Sequence, residues 1–294
     1  MNHLLPRLAQ RMFNTPLAIH PRKAEIVMAA LADRLGISQI VRMGGAALTP
    51  LAMEDDEYGF AEPGRVQRKG YDNVGGVAVI EVQGTLVQKL GSLRPYSGMS
   101  GYDGIRQNLL TAIDDPEVSA IAFDIDSPGG EVAGCFDLVD TIYAARGRKP
   151  MWSILNESAY SAGYAIASAA DRIVVPRTGG TGSIGVITAR VDMSQALSKS
   201  GVDVHFITYG DFKADGHCEL PITPEELDRH KADITSMGEL FVETVARNRN
   251  ISAATVRGTQ AATFMGEKGV ALGLADEVAA PDAAFRALIQ QINA

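Results

Sequence analysis

The chain has 294 residues, with 27 Lys and Arg against 35 Asp and Glu, for a formal net charge of −8. Apolar residues make up 46%, enough for a sizeable core in one large domain or two small ones. The acidic balance argues against general affinity for nucleic acid, and two cysteines, Cys135 and Cys218, are too few for a disulfide scaffold and lack metal-ligand spacing.

No run approaches the roughly 20 apolar residues that cross a bilayer. Arg7 and Arg11 interrupt the N-terminus where a signal peptide needs its apolar stretch. The chain is therefore expected to be soluble and cytoplasmic, with no membrane anchor. Residues His20 to Leu35 carry apolar positions at helical spacing, including Ile26, Ala29 and Ala30. The run Glu54, Asp55, Asp56 and Glu57 reads as a solvated linker, which places a boundary near residues 64–73. Two units are expected: a helical segment with an acidic linker over 1–70, and one larger domain over 71–294.

Beyond Val74 the pattern alternates between strand and helix. The runs 77–82, 120–125, 151–155, 172–175 and 202–208 are short, apolar and mostly β-branched, as buried strands are. Helical patterns follow at 102–113 and 132–146. This alternation predicts an α/β fold with a mostly parallel sheet flanked by helices. A long helix begins at Thr223-Pro224-Glu225-Glu226, with a capping Thr, Pro at the first helical position and Glu at the third. Its stripe of Leu227, Ile234, Met237, Phe241 and Val245 suits core or subunit contact. Short helices around 267–278 close the domain.

Glycine is abundant, 30 of 294, and concentrates at three places with chemical potential. Asp124-Ile125-Asp126-Ser127-Pro128-Gly129-Gly130 reads as a turn after a buried strand, where bare backbone N–H groups suit a negative oxygen. An ordinary strand-to-helix turn has the same pattern. In Ser158-Ala159-Tyr160-Ser161-Ala162-Gly163, Ser161 falls at or near a helix N-terminus, which favours a developing anion. A plain N-cap serine reads the same way. Thr178 to Val186 holds Ser183 in a glycine-rich stretch that is otherwise a flexible loop.

A nucleophilic serine needs a base. Five histidines exist, and His205 falls in a predicted strand and His230 on a helix flank, so a His-based triad has little support. No G-x-S-x-G elbow is present, which argues against an α/β-hydrolase. Lys213 is the other candidate, in a turn-rich stretch after the predicted strand 202–208. As a base it needs a pKa lowered from about 10.4 to roughly 7–8, or around 4 kcal/mol of desolvation.

Taken together, DIDSPGG, SAYSAGYAIASAADRIV, TGSIGVI, GDFKADG and GLADEV resemble the SppA-like (signal peptide peptidase A) serine–lysine peptidases, from about Val74 to Val278. Ser161 and Lys213 stand 52 residues apart, as in that family. A narrower resemblance, carried also by RMFNTPLAIHP, is to phage and prophage head-maturation proteases. The resemblance implies a Clp protease/crotonase-like fold and a serine endopeptidase without cofactor or metal. It implies Ser161 as nucleophile and Lys213 as general base. Gly129, Gly130 and the N–H of Ala162 would form the oxyanion hole, with Ser183 orienting the lysine. It further implies homo-oligomers with sites near subunit boundaries, and capsid, scaffold or portal precursors as substrates. His217 stands where that family often has Asn. The alternatives are a soluble signal-peptide-peptidase-like enzyme acting on host peptides, a crotonase-like acyl-CoA enzyme, and a non-catalytic assembly protein that keeps the fold.

Overall fold

Alternation of side chains along one central strand organises the molecule. In the computed structural model, which describes residues 15–24 and 69–294, strand β5 runs Ala120–Glu131. Ile121, Phe123 and Ile125 point into the main core, while Ala120 and Ala122 point to the opposite face. Full burial of each large side chain contributes about 1.5–3 kcal/mol.

Parallel neighbours pair on both sides of β5: β3 (Val77–Val87), and β6 (Met151–Ala159), which pairs in turn with β7 (Arg172–Val175). The sheet continues through β10 (Glu277–Val278), parallel to β7, and β2 (Asp72–Val74), antiparallel to β3. Four short strands lie off this path. Strand β1 (Leu17–Ile19) pairs antiparallel with the tail of β5, and β4 (Met99–Gly101) pairs parallel with β3.

Helices α1 (Tyr102–Asp114), α2 (Cys135–Ala144), α3 (Ala162–Ser168) and α5 (Pro224–Arg249) cover the main-core face, and α8 (Pro281–Ile292) covers the other. Between them lie α4 (Ser194–Lys199), α6 (Ala253–Gly258) and α7 (Glu267–Ala271). Helix α5 starts as its sequence predicts: the Thr223 side chain accepts from the Glu226 N–H, with Pro224 in the first turn. Its apolar stripe divides. Phe241 and Val245 are buried in the core, while Leu227 is exposed.

The alternating α/β pattern and its parallel sheet are as the sequence predicts, with two corrections. Residues 202–208 form no strand: Val202, Val204 and His205 are exposed, and Ile207 is fully so. A β-branched alternating run becomes a strand only where an edge accepts it, and none among the described residues pairs with it. The segment 124–130 is no turn either, because β5 continues extended through Glu131, with register irregularities opposite Gly84 and after Ile125. Residues 25–68, with most of the predicted N-terminal helix and the whole acidic linker, lie outside the described residues.

Candidate active site

Ser161 stands at the junction of β6 and α3. Its backbone has φ 52° and ψ −120°, a conformation that costs a non-glycine residue on the order of 1–3 kcal/mol. Hydrogen bonds hold it there. Ser161 N–H donates to Gly182 O at 2.9 Å, Gly163 N–H to Tyr160 O at 2.9 Å, and Ala165 N–H to Ser161 O at 2.9 Å. Gly163 lets the helix press onto Ser127, since a Cβ there would lie 3.0 Å from the Ser127 Cβ.

Ser161 occupies the N-cap position, yet its side chain makes no capping hydrogen bond. Its hydroxyl instead lies 3.5 Å from Gly185 O. The residue is 1% exposed. A buried, strained serine whose hydroxyl is not used in capping is unlike the plain N-cap that the sequence also allows.

Gly129 closes the other side. At φ +100° its open face is crowded: a Cβ would stand 2.9 Å from the Ser161 Cβ and 3.1 Å from the Ala162 N. Its N–H donates to Ser127 Oγ at 3.1 Å, and that hydroxyl donates to Gly84 O at 2.7 Å. Gly130 serves differently. A Cβ on it would collide with the Leu86 backbone, so glycine there lets β5 and β3 close together. Ala162 is the first residue of α3, where an N–H has no partner inside the helix.

The glycine-rich stretch around Ser183 is ordered against these residues. Strand β8 (Gly180–Gly182) is buried and pairs with β6 and with β9 (Thr263–Met265). Ser183 follows at φ 55°, nearly buried, with its N–H donating to Ala262 O. Thus Ser161, Ala162, Gly129 and the Ser183 stretch come together.

Lys213 is exposed, and no bond ties it to this group among the described residues. The turn that carries it is nonetheless tied down. Glu226 Oε1 accepts from Gly216 N–H and from Arg190, whose guanidinium also donates to His217 O at 2.6 Å. The Arg190 guanidinium and the Gly216 N–H hold the Glu226 carboxyl below its usual range against the opposing effect of burial. Arg229 pairs with Asp215 at 2.6 Å and lies over the Phe212 ring. The same segment exposes Ile207 and Tyr209 fully, and most of Phe212.

Sequence reasoning passed over β1, although it borders Ser161. The run Leu-Ala-Ile is three residues long and gave no strand signal beyond its flanking prolines. Cys135 is buried, its thiol pushed up to about 12 by desolvation, and Cys218 is half-buried; neither belongs to the site. No helix among the described residues is long and apolar enough to cross a membrane.

The model of peptidase family S49 matches residues 144–294. Capsid assembly protease C of Escherichia phage lambda is 39% identical over 93% of this chain and 63% of its own length. Head-tail preconnector protein GP5 of Enterobacteria phage P21 is 37% identical over 100% and 59%. Protease 4 of Haemophilus influenzae is 27% identical over 82% and 38%. The chain thus spans less than two thirds of these relatives. Among solved structures, an enoyl-CoA hydratase/isomerase family member aligns over 79% of this chain and 78% of its own at 16% identity, TM-score 0.44. A ClpP1 variant from Listeria monocytogenes aligns over 68% and 90% at 14% identity, TM-score 0.43.

Proposed function

The chain belongs to peptidase family S49, and from that membership we propose that it is a serine endopeptidase with Ser161 as nucleophile and Lys213 as general base. The observation that carries the reading is the Ser161 junction, where a buried serine with a strained backbone and a hydroxyl not used in capping stands beside Gly129 and the start of α3.

The chemistry follows from that arrangement. Ser161 Oγ attacks a peptide carbonyl carbon while its proton passes to the neutral Lys213 amine. The Ala162 N–H receives the oxyanion, joined by the Gly129 N–H when it leaves Ser127 Oγ, and removing one such donor typically slows turnover by about 10²–10³. The lysine then protonates the departing amine, leaving an acyl-serine that water hydrolyses with the lysine again as base. Gly130 supports the hole by letting β5 close on β3, and Ser183 orients the lysine amine.

Lys213 reaches a serine at a boundary between copies. It sits on a segment whose exposed Ile207, Tyr209 and Phe212 form an apolar surface suited to a second copy of this chain. Burial there supplies the desolvation that a neutral lysine requires. The substrates are phage head proteins, namely capsid, scaffold or portal precursors, a class favoured by the names of the two phage relatives. Residues 71–294 carry the protease domain, onto which β1 of the preceding segment packs.

The test is co-expression with candidate head precursors, followed by mass spectrometry of the products. Ser161→Ala and Lys213→Ala are each expected to abolish cleavage while leaving the circular dichroism spectrum unchanged. Cleavage persisting in either folded variant would overturn the dyad.

A further inference from the structure

A peptidase that attacks internal bonds must hold its substrate extended, and an open strand edge does this by backbone hydrogen bonding. The edge nearest Ser161 is the tail of β5, and it is already taken. Strand β1 lies antiparallel along it, with Ala18 opposite Gly130 and Ile19 opposite Gly129. His20 N–H donates to Pro128 O at 2.7 Å, and Val132 N–H to Pro16 O at 3.4 Å.

The other edge of β1 is held as well. Leu17 N–H donates to Ile187 O at 2.8 Å, and Ile187 N–H returns a bond to Leu17 O at 2.9 Å. Residues 16–20 are therefore clasped between the β5 tail and the stretch that follows Ser183. The clasp passes directly by the nucleophile. The Ala18 carbonyl oxygen and the Ser161 Cβ both lie within 3 Å of the point where a Gly129 Cβ would stand. The His20 ring packs against Tyr160, the residue before Ser161, at 5.1 Å between centroids. Leu17, Ala18 and Ile19 are all buried.

We propose that residues 16–20 occupy the substrate groove as an internal pseudosubstrate, and that a protein substrate enters by displacing them. This rests on the reading of Ser161 as the nucleophile. The occupant is a segment of the same chain, three residues of strand with a small alanine opposite the glycines. A strand this short has few bonds to exchange, and an incoming peptide of similar pattern replaces each of them. As part of the same chain, it competes with substrate intramolecularly.

Two measurements test this. Leu17→Pro and His20→Pro together delete the N–H groups that bond Ile187 O and Pro128 O. In the doubly substituted chain, KM for a fluorogenic peptide substrate is expected to fall at least about tenfold, in keeping with the loss of a tethered competitor. A synthetic peptide of residues Thr15–Pro21 is expected to inhibit that variant competitively and the unaltered enzyme much less. An unchanged or raised KM in a folded variant, without inhibition, would overturn the proposal.

The second measurement needs neither turnover nor an altered strand. In the Ser161→Ala chain, hydrogen exchange at the Leu17 and His20 amides is expected to accelerate when the Thr15–Pro21 peptide is added to saturation. Amides that stay protected under bound peptide, or a peptide that does not bind at millimolar concentration, would show that β1 is a fixed part of the fold. Because Ser161→Ala binds without cleaving, this result is independent of the catalytic dyad.

Discussion

Gly129→Ala is expected to be among the most damaging single changes near the site, and its cost separates into two parts. The first is backbone strain, since φ is +100° and an L side chain there costs about 1–2 kcal/mol. The second is collision. The added Cβ would stand 2.2 Å from Ala18 O, 2.9 Å from the Ser161 Cβ and 3.1 Å from the Ala162 N. Two of these neighbours are backbone atoms that cannot rotate away, and overpacking of this kind costs typically about 1–3 kcal/mol. The total is roughly 2–5 kcal/mol.

Gly91→Ala isolates the first part, because Gly91 has φ +73° with nothing within 4 Å of its Cβ position. It should cost only about 1–2 kcal/mol. Urea unfolding followed by circular dichroism gives both values, and peptidase activity is measured on the same samples. Gly129→Ala should be destabilised by about 1–3 kcal/mol more than Gly91→Ala and be essentially inactive, while Gly91→Ala cleaves normally. Equal stability of the two variants, together with normal cleavage by Gly129→Ala, would refute the close approach of β5 to Ser161.

Asp124 has its carboxyl raised from 3.8 to about 6, first by burial and then by Glu81, which pairs with it across β3 and β5. Below pH 3.8 both folded and unfolded chains hold this proton; as pH rises through 6 the unfolded chain ionises first, and the carboxyl becomes a cost. Asp124→Asn, which still accepts from Asn156, should therefore stabilise the protein by about 1–2 kcal/mol at pH 7.5, after discounting for solvent screening, and by almost nothing at pH 4. Urea melts at the two pH values check this. Replacing Ile207, Tyr209 and Phe212 together by Ser should shift sedimentation velocity toward smaller species and lower activity at least about tenfold, with little effect on monomer unfolding. Glu226→Gln should loosen the turn carrying Lys213 by weakening its links to Arg190 and Gly216, lowering kcat more than it raises KM.

The parallel sheet was legible because its strands are apolar runs of the right length, with 3.6-residue helical patterns at 102–113 and 132–146 between them. The run at 172–175 and the Thr223 cap match their strand and helix boundaries. The segment 202–208 misled for a physical reason. Its β-branched residues have the composition of a strand, but Ile207 is fully exposed, and nothing among the described residues covers it. The 124–130 stretch misled in the opposite sense. Proline and two glycines read as a turn, whereas the glycines serve close approach, with Gly130 against the Leu86 backbone and Gly129 against Ser161. Ser161 itself was legible as a helix-terminal serine. Its positive φ and its hydroxyl turned away from capping were not, because both depend on Gly182 and Gly185, more than twenty residues away. Strand β1 was invisible because three residues carry no periodicity, and its partners lie over a hundred residues downstream.

The most direct measurement mixes two inactive proteins. Ser161→Ala and Lys213→Ala chains are combined in equal amounts, dissociated and reassembled, and assayed for peptide cleavage. With each site taking its serine from one copy and its lysine from the next, random assembly should restore roughly a quarter of the wild-type activity. Complete inactivity of mixed oligomers, verified as mixed by native mass spectrometry, would contradict a Ser161–Lys213 dyad assembled between copies.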